Sequence, residues 1–199
     1  MSKHEDKDQQ VSEPSAAGFY TARDYLSWQT EELMELIRGK IFKMSPGPRL
    51  THQQVSGKLH LALAPKVSRP CTLLYAPLDV YLIHPGENWK ETRNIVQPDL
   101  CLICDPEKLH DRGCIGAPDL VVEILSPGTA AKDLGPKREL YLEYGVKEMW
   151  IVHPTEETIT IHVLENGEFR ILPILARGQT LQSPTFSQLR FLVDEAFPD

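Results

Sequence analysis

Long apolar runs are missing from this 199-residue chain, since no stretch approaches the roughly 18 residues that a membrane helix needs. The N-terminus is also too polar for a signal peptide. These absences predict a cytoplasmic protein that does not enter a membrane. Residues 1–18 contain one valine and no aromatic residue, which predicts a disordered tail before a single domain at 19–199.

Cysteine is scarce, and in a cytoplasmic protein the four cysteines are expected to be reduced. Cys101 and Cys104 form a Cys-x-x-Cys pair, which can bind zinc when it lies on a turn. Here the pair lies in VQPDLCLICD, a segment that predicts a strand, and residues three apart on a strand point to opposite faces. We therefore expect buried small side chains here and not a zinc site.

Acidic residues are absent between Leu36 and Leu78, where composition alone would place about 6. The segment carries a charge of +7 in a chain of net charge −7. Two interpretations stay open, a solvated face with chance clustering or a surface that meets the phosphates of nucleic acid. The candidate contacts in the second interpretation are Arg38, Lys40, Lys43, Arg49 and His52.

Helical periodicity is found in three segments. Thr21 is placed to cap a short helix that reaches Trp28. The apolar residues at 55, 59 and 63 form one face of a second helix, which begins after a loop at 45–49. A third helix is predicted from Leu134 to Tyr144, with Gly145 following its end.

Strand patterns separate these helices. TLLYAPLDVYLI and IVQPDLCLICD each predict one strand, and PDLVVEILSP at 118–127 predicts a central strand that is covered on both faces. Arg38-Gly39 and Asn166-Gly167 predict hairpin turns. The order of the elements predicts an α/β fold with a mixed β-sheet flanked by helices.

Glu123 is a carboxylate in the middle of this apolar strand. Burying an unpaired carboxylate costs several kcal/mol, so Glu123 is expected to bind a metal, pair with a base or stay protonated. Asp99 begins the neighbouring predicted strand, and the two could converge on one hard cation. Asp119 lies about 13 Å along the strand from Glu123, too far to share that ion, and is expected to be a turn or cap residue.

GAPDLVVEILSPGTAAKDLGPKRELYLEYGVKEMWIVHP resembles the signature of the Uma-type restriction endonucleases, which belong to the PD-(D/E)XK nuclease superfamily. The segments MELIRGKIFKMSPGPRLTHQQ, PLDVYL and IVQPDLCLICDPEKL fit as well, so the resemblance covers roughly residues 20–195. It implies a restriction-endonuclease-like core that hydrolyses phosphodiester bonds of nucleic acid, with DNA favoured, and it implies Mg²⁺ or Mn²⁺ as cofactor.

The resemblance assigns Asp99 to the PD aspartate and Glu123 to the (D/E) position. The motif lysine falls on Leu125, which can neither activate water nor offset phosphate charge. Lys137 is the first candidate to replace it, because a stripe at 134, 137 and 141 would face the sheet. Lys132 is the second candidate. For both lysines, a surface position over apolar residues stays open.

Glu35 matches the family glutamate of ELIxGKI and is a candidate third metal ligand, with a solvent-facing hairpin position as the alternative. Asp79 is a further candidate ligand. His52 is a candidate base or phosphate contact, although a polar residue in the first turn of a helix is also common without function.

The predicted function is therefore a metal-dependent endonuclease, and cleavage of two strands favours a homodimer. A second hypothesis is a binding or assembly module that keeps the nuclease fold and has lost catalysis, which the leucine at 125 supports. A carboxylate-pair glycosidase ranks third, because the sequence shows no aromatic cluster around Asp99 or Glu123 to stack a sugar.

Overall fold

Fifteen strands and four α-helices are found in residues 18–28, 32–44, 49–126 and 130–198, which a computed structural model describes. The strands are β1 (Met34–Ile37), β2 (Lys40–Lys43), β3 (Thr72–Tyr75), β4 (Val80–Tyr81), β5 (Ile95–Val96), β6 (Leu100–Ile103), β7 (Leu109–His110), β8 (Gly113–Ile115), β9 (Leu120–Ile124), β10 (Glu148–His153), β11 (Thr158–Glu165), β12 (Glu168–Ile171), β13 (Leu175–Ala176), β14 (Thr180–Gln182) and β15 (Arg190–Leu192). The helices are α1 (Ala22–Ser27), α2 (Leu50–Leu63), α3 (Ala130–Lys132) and α4 (Arg138–Glu143), with a π-helical turn at Asp133–Lys137 and 3₁₀ turns at Ala64–Lys66, Trp89–Glu91, Pro106–Lys108 and Val193–Ala196. The predicted tail lies outside the described residues except for Gly18, as does most of the predicted loop at 45–49.

The strands form two main sheets. The larger has seven strands in the order β12-β11-β10-β9-β6-β3, with β13 beside β11, and the smaller has six in the order β2-β1-β5-β4-β8-β7. The pairs β9–β10 and β4–β8 are parallel and the other pairs are antiparallel, so both sheets are mixed. The predicted α/β class with a mixed sheet and flanking helices is confirmed, although the strands divide between these two sheets and a separate pair, β14 and β15.

The strand β9 lies at the centre of the larger sheet, between β10 and β6. Its five residues are all buried. Val122 and Ile124 pack on the face covered by α2, whereas Val121 packs on the face covered by α4. The prediction of a central strand covered on both sides is confirmed, and the alternation places Glu123 on the α4 side.

Helix α2 covers one face of the larger sheet, and its buried residues Val55, Leu59 and Leu63 confirm the predicted apolar face. Replacing Leu59, which is fully buried, with alanine should lower the free energy of unfolding by about 2–5 kcal/mol, because it leaves a cavity. Leu61 is 71% exposed in the same helix, and its replacement with alanine should change that value by no more than about 0.5 kcal/mol. Urea denaturation measures both variants, and equal losses would contradict this packing.

The turn and cap predictions near the N-terminus are confirmed. Thr21 caps α1, and Asp24 accepts a hydrogen bond from the backbone N–H of Thr21 at 2.8 Å. Arg38 and Gly39 join β1 to β2 with positive φ values of 52° and 79°, as this type of hairpin turn requires.

Two segments predicted as single strands are each divided between the sheets. TLLYAPLDVYLI forms β3 in the larger sheet and β4 in the smaller, and IVQPDLCLICD forms β5 in the smaller and β6 in the larger. Pro77 and Pro98 lie in the two divisions, where a proline cannot donate a backbone hydrogen bond to a neighbouring strand. The chain therefore changes sheet within each of these two segments, and Asp99 lies at the change in the second one.

The prediction that all four cysteines are reduced is wrong for one pair, because Cys71 and Cys104 form a disulfide. The pairing of Thr72 with Ile103 brings these two cysteines face to face at the next position of the β3–β6 ladder. Cys101 is free and packs on the opposite side of the sheet, as the alternation predicted. None of the helices in the described ranges is both long enough and apolar enough to cross a bilayer.

Candidate active site

The ammonium group of Lys137 lies among three carboxylates, two from other elements and one from its own π-helical turn. Its Nζ is 2.6 Å from Glu123 Oε1 on β9 and 3.1 Å from Glu35 Oε1 on β1. It is also 3.6 Å from Asp133 Oδ1, one turn earlier in the chain. Only 2% of the Lys137 side chain is exposed, so a surface position for this lysine is excluded.

A π-helical turn at Asp133–Lys137 places the side chain of Lys137 in the protein interior. Asp133 and Lys137 are both buried, whereas Leu134 is 45% exposed. The predicted inward stripe at 134, 137 and 141 is therefore wrong at its first position, because the wider turn shifts the helical phase by one residue. Single π-turns within helices occur frequently at functional sites.

Glu35 is fully buried, which overturns the solvent-facing alternative for this residue. Its Oε1 accepts a hydrogen bond from the backbone N–H of Gln97 at 2.8 Å and also meets Lys137. Its Oε2 meets Lys132. Although burial opposes ionisation, the charges of the two lysines hold the pKa of Glu35 below its ordinary value. These contacts suit a residue that holds the lysines in position, and its role as a metal ligand stays a prediction.

Asp99 directly precedes β6 and lies opposite Glu123, because Leu100 pairs with Val122 in the β6–β9 ladder. Its Oδ2 accepts a hydrogen bond from the backbone N–H of Ile124 at 2.7 Å. The chain therefore brings the two predicted carboxylates to neighbouring positions on adjacent strands.

His52, in the first turn of α2, contacts this aspartate, with Nε2 3.2 Å from Asp99 Oδ1. Burial opposes protonation of His52, but the hydrogen bond to Asp99 and its charge raise the pKa of the imidazole above its ordinary value. This histidine is the part of α2 that reaches the candidate site.

Opposing electrostatic effects act on the carboxyl group of Glu123. Burial raises its pKa well above the ordinary value, and the nearby charges of Asp133 and Asp99 add to the effect. Lys137 opposes that rise, and the Tyr141 hydroxyl donates a hydrogen bond to Glu123 Oε1 at 2.5 Å. More positive charge near Glu123 would favour its ionised form.

The donor set has the chemistry of a site for Mg²⁺ or Mn²⁺. The carboxylates of the cluster belong to Glu35, Asp99, Glu123 and Asp133, and its lysines are Lys132 and Lys137. With Glu123 ionised and His52 neutral, the carboxylates exceed the lysines by two, which is the charge that one divalent cation carries.

Within the described ranges, no three side chains of His, Cys, Asp or Glu are arranged to hold a metal by themselves. Mg²⁺ commonly uses one or two protein carboxylates and completes its coordination with water and substrate phosphate. Asp99 and Glu123 fit this smaller donor set. Carboxylate oxygens are also the hard ligands that both ions prefer.

The predicted phosphate contacts are spread over a wider surface than the site. Arg38 forms an ion pair with Glu143 at 2.9 Å, and Lys43 forms one with Glu32 at 2.7 Å. Lys40 lies over the ring of Phe19, and Arg49 precedes α2. Of the five predicted contacts, His52 is the one placed against the candidate site residues, and a role for the others in nucleic-acid binding stays a prediction.

The sequence did not predict the contacts that Gln97, Tyr141 and Asp133 make in this cluster. Gln97 bridges Glu35 and Lys137, since its carbonyl oxygen lies 3.4 Å from the lysine Nζ. Tyr141 and Asp133 lie four residues on either side of Lys137, and this i, i+4 spacing is the signal that could have found them. Asp79 lies outside the cluster, where its carboxylate accepts hydrogen bonds from Tyr25, Tyr81 and Gln97, and its role as a ligand stays a prediction.

Comparisons with known proteins agree with this architecture. Residues 22–194 match the Uma2 family, whose description is "Putative restriction endonuclease". The chain is 29% identical over 154 residues to "Uncharacterized protein slr1290" of Synechocystis sp. (strain ATCC 27184 / PCC 6803 / Kazusa), covering 75% of this chain and 77% of that protein.

A solved structure shares the fold. The crystal structure of "a putative nuclease belonging to DUF820" from Anabaena variabilis ATCC 29413 superposes with a TM-score of 0.65. It covers 89% of this chain and 97% of that one at 20% sequence identity, so the likeness concerns the fold. Because the family match spans most of the sequence, the chain belongs to the Uma2 family of restriction-endonuclease-like proteins.

Proposed function

We propose that this protein is a Mg²⁺- or Mn²⁺-dependent endonuclease that hydrolyses phosphodiester bonds of nucleic acid, with DNA as the favoured substrate. The observation that carries the proposal is the buried contact between Lys137 and Glu123 beside Asp99. The motif lysine is absent at Leu125, and Lys137 supplies the ammonium group from a different element. Membership of the Uma2 family supports the same reaction class.

Each residue has a distinct part in the proposed reaction. Asp99 and Glu123 would hold the cation, and Glu35 keeps Lys137 in place. A divalent cation bound there would supply polarisation of the scissile phosphate and a lower pKa for a water molecule. Lys137 orients the attacking water or offsets the charge that develops on the phosphate oxygens. His52 lies beside Asp99, where it can contact the phosphate backbone.

A second candidate function is a binding or assembly module that retains the fold without catalysis. Leu125 favours it, because this side chain is buried in the apolar core and no lysine is found at the motif position. Lys137 weighs against this second function, because the π-helical turn supplies an ammonium group beside Glu123. Two copies of the chain would supply the two sites that double-strand cleavage needs, and on this ground we propose a homodimer.

The test is incubation of supercoiled plasmid with purified protein in Mg²⁺ or Mn²⁺. Wild-type protein should nick the plasmid, and the chelator EDTA should stop it. Glu123→Gln should lower the nicking rate at least about hundredfold, because the neutral amide binds a cation poorly and keeps a similar shape. Glu143→Gln, a change at an exposed position on α4, is the matched control and should retain activity.

Nicking that is equal in wild-type protein and Glu123→Gln would assign the activity to a contaminant. Absence of nicking with intact Mn²⁺ binding would favour the binding module. Both variants are compared with wild-type protein by thermal unfolding, so that loss of activity is separated from loss of fold.

A further inference from the structure

The two segments in which the chain changes sheet lie side by side, and Asp79 and Gln97 join them. Asp79 directly precedes β4, and Gln97 directly follows β5. Because Val80 pairs with Val96 in the antiparallel β4–β5 ladder, Asp79 and Gln97 occupy the next opposed position, where side chains come into contact. Gln97 Nε2 donates a hydrogen bond to Asp79 Oδ1 at 2.8 Å.

The carboxylate of Asp79 is engaged by neighbouring side chains on both of its oxygen atoms. Besides Gln97, the Tyr25 hydroxyl donates to Oδ1 at 3.1 Å, and the Tyr81 hydroxyl donates to Oδ2 at 3.3 Å. Removing a carboxylate from water is costly unless hydrogen bonds compensate it, and these donors supply that compensation. The bond from Gln97 is the shortest of the three, and it leads towards the candidate active site.

The backbone of Gln97 is in contact with the candidate active site. Its N–H donates to Glu35 Oε1 at 2.8 Å, and its carbonyl oxygen lies 3.4 Å from Lys137 Nζ. Asp99 follows after Pro98 in the same short segment. Since the contacts of Gln97 with Glu35 and Lys137 come from backbone atoms, they depend on where this segment lies.

Residues 97–99 are tied at both ends to residues 76–79. The carbonyl oxygen of Asp99 accepts a hydrogen bond from the backbone N–H of Ala76 at 3.0 Å. The side-chain bond from Gln97 to Asp79 ties the other end, and Pro98 between them has no backbone N–H to donate. Loss of the bond to Asp79 would therefore free the end of the segment that meets the lysine.

The amide of Gln97 is paired at one end and unpaired at the other. The side chain is buried, and its Oε1 has no hydrogen-bond partner among the described residues, although buried polar atoms are normally paired. An unpaired buried acceptor lowers stability. A glutamine placed here for stability alone would have both ends of its amide paired, so the single bond to Asp79 indicates a role in holding Gln97 in one position.

We propose that Asp79 and Gln97 are positioning residues for the candidate active site, and that their side-chain hydrogen bond sets the place of the Gln97 backbone. This backbone orients the Glu35 carboxylate through its N–H and meets the Lys137 ammonium group through its carbonyl oxygen. The two side chains thus act through Lys137 and do not contact the reacting phosphate. The proposal rests on the proposed function for the reaction that Lys137 serves, and one of its tests needs no activity.

The first test compares plasmid nicking by Gln97→Met and Tyr25→Phe. Gln97→Met removes the side-chain donor and keeps the length of the side chain and the backbone atoms. It should lower kcat about tenfold and leave KM for the plasmid within about twofold, because a displaced catalytic group acts on the transition state. Tyr25→Phe is the matched control, since it removes another donor to the same oxygen of Asp79 and should retain activity.

The second test reverses the direction of the hydrogen bond. Gln97→Glu alone sets a carboxylate against Asp79 and should lower kcat at least about tenfold, because like charges repel at this distance. In the double variant Asp79→Asn with Gln97→Glu, the new amide at position 79 donates to the new carboxylate at position 97. Its kcat should return to within about threefold of the wild-type value, as expected for residues that act as a pair.

Amide hydrogen exchange of the metal-free protein, followed by NMR, tests the anchoring without activity. The backbone N–H at position 97 should exchange at least about tenfold faster in Gln97→Met than in wild-type protein, because its bond to Glu35 opens more often. The backbone N–H of Val122 in β9 reports on the whole fold and should keep its protection. Equal acceleration at both positions would indicate a general loss of stability and would overturn the proposal.

Wild-type kcat in Gln97→Met would also overturn the proposal, as would an equal loss in Tyr25→Phe or a double variant no better than Gln97→Glu. Asp79→Asn alone keeps a neutral, weaker acceptor and should lower kcat about threefold, so it provides a test if Gln97→Met fails to fold. Faster exchange at position 97 alone in a protein that does not nick plasmid would retain the anchoring and reject the nuclease. Unchanged exchange there would reject the anchoring whether or not the protein is a nuclease.

Discussion

Replacing Lys137 with methionine is expected to lower the rate of metal-dependent plasmid nicking by about 10²- to 10³-fold, the usual effect of removing one donor from a developing negative charge. The side-chain Nζ lies 2.6 Å from Glu123 and is buried with it. Although burial opposes its charge, Glu123 and Glu35 hold the pKa of Lys137 well above the ordinary value, so this lysine is charged at neutral pH. Methionine keeps the length of the side chain and removes that charge.

The same substitution should also destabilise the fold. Breaking a buried ion pair by removing one partner typically costs about 3–5 kcal/mol, because the remaining charge is left uncompensated. Glu123 would keep only the Tyr141 hydroxyl as a partner among the contacts described above. Urea denaturation measures this loss, and the nicking assay is run at a temperature where the variant remains folded.

Lys132→Met is the matched control, because Lys132 contacts Glu35 alone among these carboxylates. It should retain most of the nicking activity. The reverse outcome, with activity lost in Lys132→Met and kept in Lys137→Met, would transfer the catalytic role to the second lysine. Equal activity in both variants and wild-type protein would reject a role for either lysine.

The features that sequence predicted best depend on local patterns. Glu123 could be found because a lone carboxylate inside a run of apolar β-branched residues has few physical explanations. Asp99 could be found because the strand that it begins is the neighbour of that run. The buried face of α2 could be found from apolar residues at i, i+4 and i+8.

The features that sequence missed depend on contacts between distant segments. Glu35 is buried because β1 pairs with β5 and brings Gln97 against its carboxylate, sixty-two positions along the chain. TLLYAPLDVYLI and IVQPDLCLICD each look like one continuous strand in the sequence. The change of sheet within each segment is set by pairing with strands that are distant along the chain. The π-helical turn could not be read from period 3.6, so Leu134 was placed inward although it faces solvent.

We propose that Asp99 and Glu123 together hold one divalent cation. Asp99→Asn removes one negative charge and keeps the size of the side chain, so it should abolish binding of Mn²⁺. The matched control is Asp119→Asn, since Asp119 also follows a proline and directly precedes β9, the strand next to β6. Its carboxylate accepts from the backbone N–H of Cys104 and pairs with Lys147, away from the cluster.

Calorimetric titration of the metal-free protein with Mn²⁺ measures this directly. We expect one Mn²⁺ per chain in wild-type protein and in Asp119→Asn, and no measurable binding in Asp99→Asn. Binding in Asp99→Asn that equals wild type, or no binding in the wild-type protein, would contradict the metal site and the nuclease mechanism that depends on it.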